Sequence, residues 1–190
     1  MRGMILAAGR GTRLWPLTAD RAKPAVPFLN RPLIFYPVEY LKKHGITDLI
    51  INLHHQGDSI RQVLGDGSCL GVSIYYSEEP ELLGTGGALD KVRHLLEDDT
   101  FVVINGKIIT DIDLHAVIEN HLQQKALATL VLRRNRTREH FSIVDVNGRG
   151  QIVKFAGFPQ PLAHGEELSA DEAPLMFAGV QVLDPKIFQY

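Results

Sequence analysis

Two glycines, a threonine and two cations near the start of the chain are the residues best placed to do chemistry. Gly9-Arg10-Gly11-Thr12-Arg13 follows the apolar run Met4-Ile5-Leu6-Ala7-Ala8, and Lys23-Pro24 stands a little further on. Lacking a Cβ, Gly9 and Gly11 let their amides approach phosphate oxygens and allow the positive φ that a tight loop needs. Arg13 can then sit over the phosphates. A strand opening into such a loop is suited to gripping a nucleoside triphosphate. Glycine after a strand is weak evidence by itself, since many α/β loops use it for turn geometry alone. Either cation taken singly would more often lie on a solvated loop. Their joint occurrence with Gly9, Gly11 and Thr12 favours the phosphate reading.

Other candidates are less specific. Gly86 and Gly87 fit a helix entrance with close strand packing, which is compatible with a nucleotide contact because helix N-termini favour phosphate. Asn52 falls at the end of the second expected strand, where open α/β sheets place ligands. His54 and His55 are expected to face solvent or be hydrogen-bonded. The eight histidines show no metal-ligand spacing, so no zinc site is expected.

The elements that must carry these residues follow from alternating apolar runs and amphipathic stretches, the pattern of strands feeding crossover helices. Strands are expected near residues 3–7, 48–52, 72–76, 100–104 and 128–132, and helices over 33–44, 58–64, 87–96 and 114–123. The first helix follows Pro32, buries Ile34, Val38 and Leu41, and ends with Lys42, Lys43 and then Gly45, a sensible termination. Beyond Arg133, strand-like pieces at 141–146 and 151–155 flank Asn147-Gly148, a hairpin signal. Residues 157–174, rich in Pro, Gly, Ala and Glu, read as a mobile loop.

Composition narrows the class. With 190 residues, 45% of them hydrophobic, the chain can bury one α/β core, and one domain is expected. A net charge of −2 gives no field favouring nucleic acid or anionic membrane, so neither is an expected partner. A single cysteine, Cys69, fits a reducing compartment. The apolar N-terminal run is too short to span a membrane and lacks a signal-peptide layout. A cytoplasmic location is expected.

Leu6-Ala7-Ala8-Gly9-x-Gly11-Thr12-Arg13-x-x-Pro16-Leu17-Thr18, with Lys23-Pro24 and Pro27, resembles the signature of the sugar-1-phosphate nucleotidyltransferases. The likeness continues through Ile51-Asn52-Leu53-His54-His55, Leu83-Gly84-Thr85-Gly86-Gly87-Ala88-Leu89, Val103-Ile104-Asn105-Gly106 and Ala178-Gly179-Val180-Gln181-Val182-Leu183-Asp184-Pro185. The loops are most similar to mannose-1-phosphate guanylyltransferase-like and cell-wall sugar uridylyltransferase-like members. The resemblance implies a Rossmann-like three-layer α/β/α fold with a largely parallel mixed sheet, of the nucleotide-diphospho-sugar transferase type, plus the hairpin. It implies one catalytic domain over 1–190, without the family's C-terminal part.

The implied reaction is attack by a hexose 1-phosphate oxygen on the α-phosphate of a nucleoside triphosphate, giving an NDP-sugar and pyrophosphate with Mg²⁺. By resemblance Arg13 would stabilise the triphosphate and leaving pyrophosphate, and Lys23 would contact the α-phosphate region. Leu6, Ala7, Ala8, Gly9, Gly11, Thr12, Asn52, Asn105 and Gly106 would hold the nucleotide. Gly84, Thr85, Gly86 and Gly87 would shape the nucleoside face.

Several positions depart from that pattern. Lys107 stands where the family has a magnesium-binding aspartate, and an ammonium cannot ligate a hard cation. Either Lys107 supplies the charge itself, or a nearby carboxylate such as Asp111 or Asp113 has taken the metal, or turnover is lost. Helix capping is the preferred reading of both aspartates. Gly157-Phe158-Pro159 replaces Glu-Lys-Pro, with Phe158 expected in the core in preference to serving as an apolar sugar platform, and Phe177 replaces an asparagine. The end at Asp184 to Tyr190 reads as a helix stopped midway, before any Trp-x-Asp-x-Gly-Thr segment. The chain thus reads as a fragment, a truncated relative or a protein completed by a partner. An apolar stub would favour a homo-oligomer. Arg133, Arg134, Arg136 and Arg138 read as a solvated turn. A non-catalytic nucleotide or nucleotide-sugar binding subunit is the alternative function.

Overall fold

The computed structural model describes residues 1–160 and 165–190; within the expected loop at 157–174, residues 161–164 therefore lie outside the described residues. In chain order the strands are β1 (Gly3–Leu6), β2 (Pro27–Phe28), β3 (Arg31–Pro32), β4 (Asp48–Leu53), β5 (Ser73–Glu78), β6 (Phe101–Asn105), β7 (Ala128–Arg134), β8 (Val144–Val146), β9 (Ile152–Phe155) and β10 (Leu175–Leu183). The α-helices are α1 (Phe35–Lys43), α2 (Gly57–Leu64), α3 (Gly84–Lys91), α4 (Arg93–Leu96) and α5 (Leu114–Gln123). Six strands form a mixed, mostly parallel sheet in the order β5-β4-β1-β6-β10-β7. The chain divides into two compact units, Met1–Thr129 with Gln181–Tyr190, and Leu130–Val180.

In the first unit β1 pairs in parallel with β4 on one side and β6 on the other, setting Met4 beside Ile50 and Val103, and Leu6 beside Asn52 and Asn105. These strands are continuous apolar runs because both faces are covered. On one face Met4, Ile50, Phe101 and Val103 pack against Ala88 and Leu89 of α3, Leu96 of α4 and the intervening Val92. On the other face α1 lies so close that a Cβ on Gly3 would stand 2.9 Å from the Leu41 side chain. Successive residues of β1 thus feed opposite layers, which makes the three-layer arrangement a direct result of strand alternation.

Boundaries moved where tertiary hydrogen bonds compete with helix propensity. The first helix starts at Phe35 rather than residue 33, because the Leu33 and Ile34 amides donate to the Val26 and Pro24 carbonyls at 3.0 and 2.7 Å. Its end is as expected, with Gly45 at φ 77°. The helix expected over 87–96 begins three residues earlier, at Gly84, and breaks at Val92, where φ is −108° and ψ 18°. Pro185–Gln189 forms a 3₁₀ turn capped by the Asp184 carboxylate, which accepts from the Lys186 amide at 2.8 Å. Among the described residues no helix is long and apolar enough to cross a membrane.

The second unit contains the expected hairpin, shortened to β8 and β9 and antiparallel, with Val144 opposite Phe155. The Asn147 side-chain oxygen accepts from the Arg149 and Gln151 amides, each at 3.0 Å, so an Asx-type turn fixes the reversal. The arginine cluster is spent locally: Arg133 pairs with Glu139, Arg134 donates to the Ala173 carbonyl, Arg136 pairs with Glu167 and Arg138 donates to the Gln160 carbonyl. Phe158 corrects the expectation of a core aromatic. It is 56% exposed and stacks on the His140 ring at 3.9 Å, because β9 leaves its own apolar residues at the surface and offers no core to enter.

His121, near the end of α5, is only 1% exposed, with Nδ1 2.9 Å from the Thr129 hydroxyl. Burial pushes its imidazole below the ordinary histidine value, Asp184 opposing. Below about pH 6.5 the unfolded chain therefore takes up a proton that the folded chain resists, and stability falls on acidification. Thermal melts are expected to show Tm falling between about pH 7.5 and 5.5, and falling less in His121→Gln. Equal slopes in the two proteins would place the acid sensitivity elsewhere.

Candidate active site

The parallel strands β1, β4 and β6 end together, and their C-terminal ends open into a cavity of about 270 Å³. Leu6, Ala7, Ala8 and Gly9 form one side, Asn52 and Asn105 the strand ends beside them, and Leu82, Gly84 and Thr85 a further wall. Lys23, Pro24 and Lys107 complete the lining, and no carboxylate is among the lining residues.

Each cation is placed by the backbone that carries it. The Lys23 turn is anchored on both sides, since the Ala22 amide donates to the Ser59 hydroxyl at 2.9 Å and the Pro24 carbonyl accepts from Ile34. Lys107 sits in the turn leaving β6, where the Gly106 amide donates to the Leu6 carbonyl at 2.9 Å and Ile108 to Asn105 at 3.1 Å. A Cβ on Gly106 would stand 3.2 Å from that same Leu6 oxygen, so glycine allows the turn to close against β1. The two lysines line the same cavity, close enough for the Lys107 charge to act on Lys23. Burial first, then the charges of Lys107 and Arg13, hold Lys23 below the usual lysine range.

The expected site residues divide into two sets. Leu6, Ala7, Ala8, Gly9, Lys23, Asn52, Gly84, Thr85, Asn105 and Lys107 line the cavity, whereas Gly11, Thr12, Arg13, Gly86, Gly87, Gly106 and Asp111 do not. Arg13 is exposed and close enough for its charge to act on Lys23. Gly11 shapes the loop: at φ 67° it leaves room for Thr18, whose hydroxyl donates to the Gly11 carbonyl at 3.0 Å. Thr12 lines a neighbouring depression with Arg10, His54 and His55. Both histidines are hydrogen-bonded, His54 to the Glu79 carbonyl and His55 to that of Thr18. Asp113 caps α5 by accepting from the His115 and Ala116 amides, and Asp111 is exposed.

These residues do not fit the magnesium ion that the family implies. Hard cations need several oxygen donors, usually with carboxylates among them. The cavity instead presents two ammonium groups, and among the described residues no cluster of three His, Cys, Asp or Glu could hold a metal.

Glu79 is a site residue that the sequence did not single out. It is 3% exposed. One carboxylate oxygen accepts from the Asn52 side-chain amide at 2.8 Å and the other from the Leu83 backbone amide at 3.1 Å, while the Asn52 oxygen accepts from the Ala7 amide at 2.7 Å. This chain of bonds fastens the loop after β1 to the entrance of α3. In sequence Glu79 reads as one of two surface acids before Pro80. Only its position just past β5, with its amide bonded to the Leu53 carbonyl at 2.7 Å, turns it inward. Replacing Glu79 by Ala strands the buried Asn52 amide and the part-buried Leu83 amide and is expected to cost about 1–3 kcal/mol in urea unfolding, with Glu79→Gln costing less because it keeps an acceptor. Equal losses would show that the carboxylate acts only by filling space.

Residues 2–188 match the Nucleotidyl transferase family. The chain is 31% identical over 203 residues to a UTP–glucose-1-phosphate uridylyltransferase of Synechocystis, covering 100% of this chain and 50% of that protein. It is 34% identical over 164 residues to a mannose-1-phosphate guanylyltransferase catalytic subunit beta of Danio rerio, covering 84% and 46%. A solved Bacillus anthracis structure, provisionally named a glucose-1-phosphate thymidylyltransferase, superposes with a TM-score of 0.85 at 30% identity over 100% of this chain and 74% of that one. The chain thus spans about half the length of these curated relatives. With a family match over nearly its whole length, the chain belongs to the nucleotidyl transferase family.

Proposed function

We propose that the cavity binds a nucleoside triphosphate and that the protein transfers its nucleotidyl group to a sugar 1-phosphate. The observation that carries this reading is the cavity itself: strand-end backbone from Leu6 to Gly9, two lysines and no lining carboxylate. In the reaction an oxygen of the sugar phosphate forms a bond to the α-phosphorus as the bond from that phosphorus to the bridging oxygen breaks, and pyrophosphate leaves. Such a transfer needs positioning and charge stabilisation more than covalent help. Lys23 and Lys107 face the cavity and would take the phosphates. Arg13, whose charge acts on Lys23, would meet the departing pyrophosphate. The walls at Asn52, Gly84 and Thr85 would hold the nucleoside.

Mannose and guanine are our first assignment, on the wording of the loops. The relatives divide between uridylyl and guanylyl transfer, so the pair is a matter for assay. A cytoplasmic setting, in which the exposed Cys69 stays reduced, and self-association belong to the same reading. A second reading, nucleotide binding without turnover, is favoured by Lys107 at the mouth of β6.

Pyrophosphate release is the test, with four nucleoside triphosphates against mannose, glucose and N-acetylated amino-sugar 1-phosphates, with Mg²⁺ supplied. Release with one combination is expected, falling about a hundredfold or more in Arg13→Ala and Lys23→Ala. Tight nucleotide binding without release in any combination would establish the second reading.

A further inference from the structure

We propose that Lys23 and Lys107 together neutralise the phosphates of the bound nucleotide, so that this cavity takes a nucleoside triphosphate free of divalent metal. The inference rests on the nucleotide reading of the cavity and adds the identity of the bound species. Its basis is the charge arrangement of the lining. Both lysines line the one cavity, close enough for the Lys107 charge to act on Lys23, and no carboxylate lines it with them. Among the described residues neither lysine has a carboxylate partner, although seven other ion pairs form across the molecule. Two like charges held together by anchored turns are complementary to a polyanion with several oxygens, which can bridge both donors in charge-assisted bonds.

A divalent cation meets the opposite situation. It would approach two positive groups without a carboxylate to offset them, and hard cations depend on oxygen ligands. The side-chain oxygen of Asn52 already accepts from the Ala7 amide. Burial and the neighbouring cations press Lys23 toward neutrality, a pressure that an anion lying between the ammonium groups relieves.

Calorimetric titration of the full chain with ATP, GTP, CTP, UTP and dTTP decides the matter, run once with Mg²⁺ and once with excess EDTA. The proteins compared are the natural sequence, Lys107→Ala, Lys107→Met and Lys107→Arg, each verified as folded by circular dichroism. Met keeps most of the side chain's length without its charge and serves if the alanine variant misfolds. The natural protein is expected to bind its nucleotide with affinities within about threefold in the two media, the Ala and Met variants to lose about tenfold or more in both, and Lys107→Arg to lose little. Binding that collapses in EDTA, or that persists undiminished without the Lys107 charge, would overturn the inference while leaving the nucleotide reading in place. Failure of every triphosphate to bind the natural protein in either medium would overturn both.

Discussion

Parallel pairing on both sides of β1 is the constraint from which the site follows. A strand hydrogen-bonded in register to two parallel neighbours must end where they end, and Leu6 therefore stops between Asn52 and Asn105. Each chain segment then has to turn away from the sheet at the same edge. The turns leave backbone groups and polar side chains around a common opening, while the apolar runs behind them are sealed by helices on both faces. The rigidity of the cavity is thus inherited from the most buried part of the molecule, where Met4, Ile5, Ile51 and Ile104 are fully enclosed. This arrangement agrees with the general tendency of open α/β sheets to take ligands beyond the carboxyl ends of their strands.

The lysines show how strongly such a frame can oppose local electrostatic preference. Two ammonium groups free in solution would separate. Here the turn carrying Lys23 is fixed to α2 and α1 by the Ser59 hydroxyl and the Ile34 amide, and the turn carrying Lys107 is fixed to β1 through Gly106. Backbone hydrogen bonds and packing hold the pair, so the repulsion is retained in the folded molecule and available to a ligand that cancels it. Sites that bind or react commonly keep an interaction that stability alone would remove.

Much of this could be read from residue types. The loop from Ala7 to Gly11, Lys23 and the glycines from residue 84 were visible through their family-like order, and Asn52 through its place at a strand end. The end of α1 at Gly45 and the turn at Asn147 were legible because each serves a local geometric need that few residues meet. What escaped was set by partners distant in sequence. The break at Val92 falls inside a helix-compatible run, and the start of α1 was decided by carbonyls of Pro24 and Val26. Phe158 was assigned to a core by its hydrophobicity, but the strands around it form an exposed hairpin in which aromatic stacking on His140 is the available burial. Glu79 was hidden most completely, since an acid beside another acid and a proline carries no sign of an inward turn until its strand is paired.

The bonds from Ala7 through Asn52 and Glu79 to Leu83 act as a ruler between the loop after β1 and the entrance of α3. Its length is the sum of two side chains, one amide and one carboxylate, neither on the same element as the segment it holds. Lengthening Asn52 to Gln or shortening Glu79 to Asp would alter that sum by one methylene, with the donor and acceptor chemistry conserved. The spacing of the two segments is therefore set by the length of one side chain that lines the opening, Asn52, and of one buried behind it, Glu79.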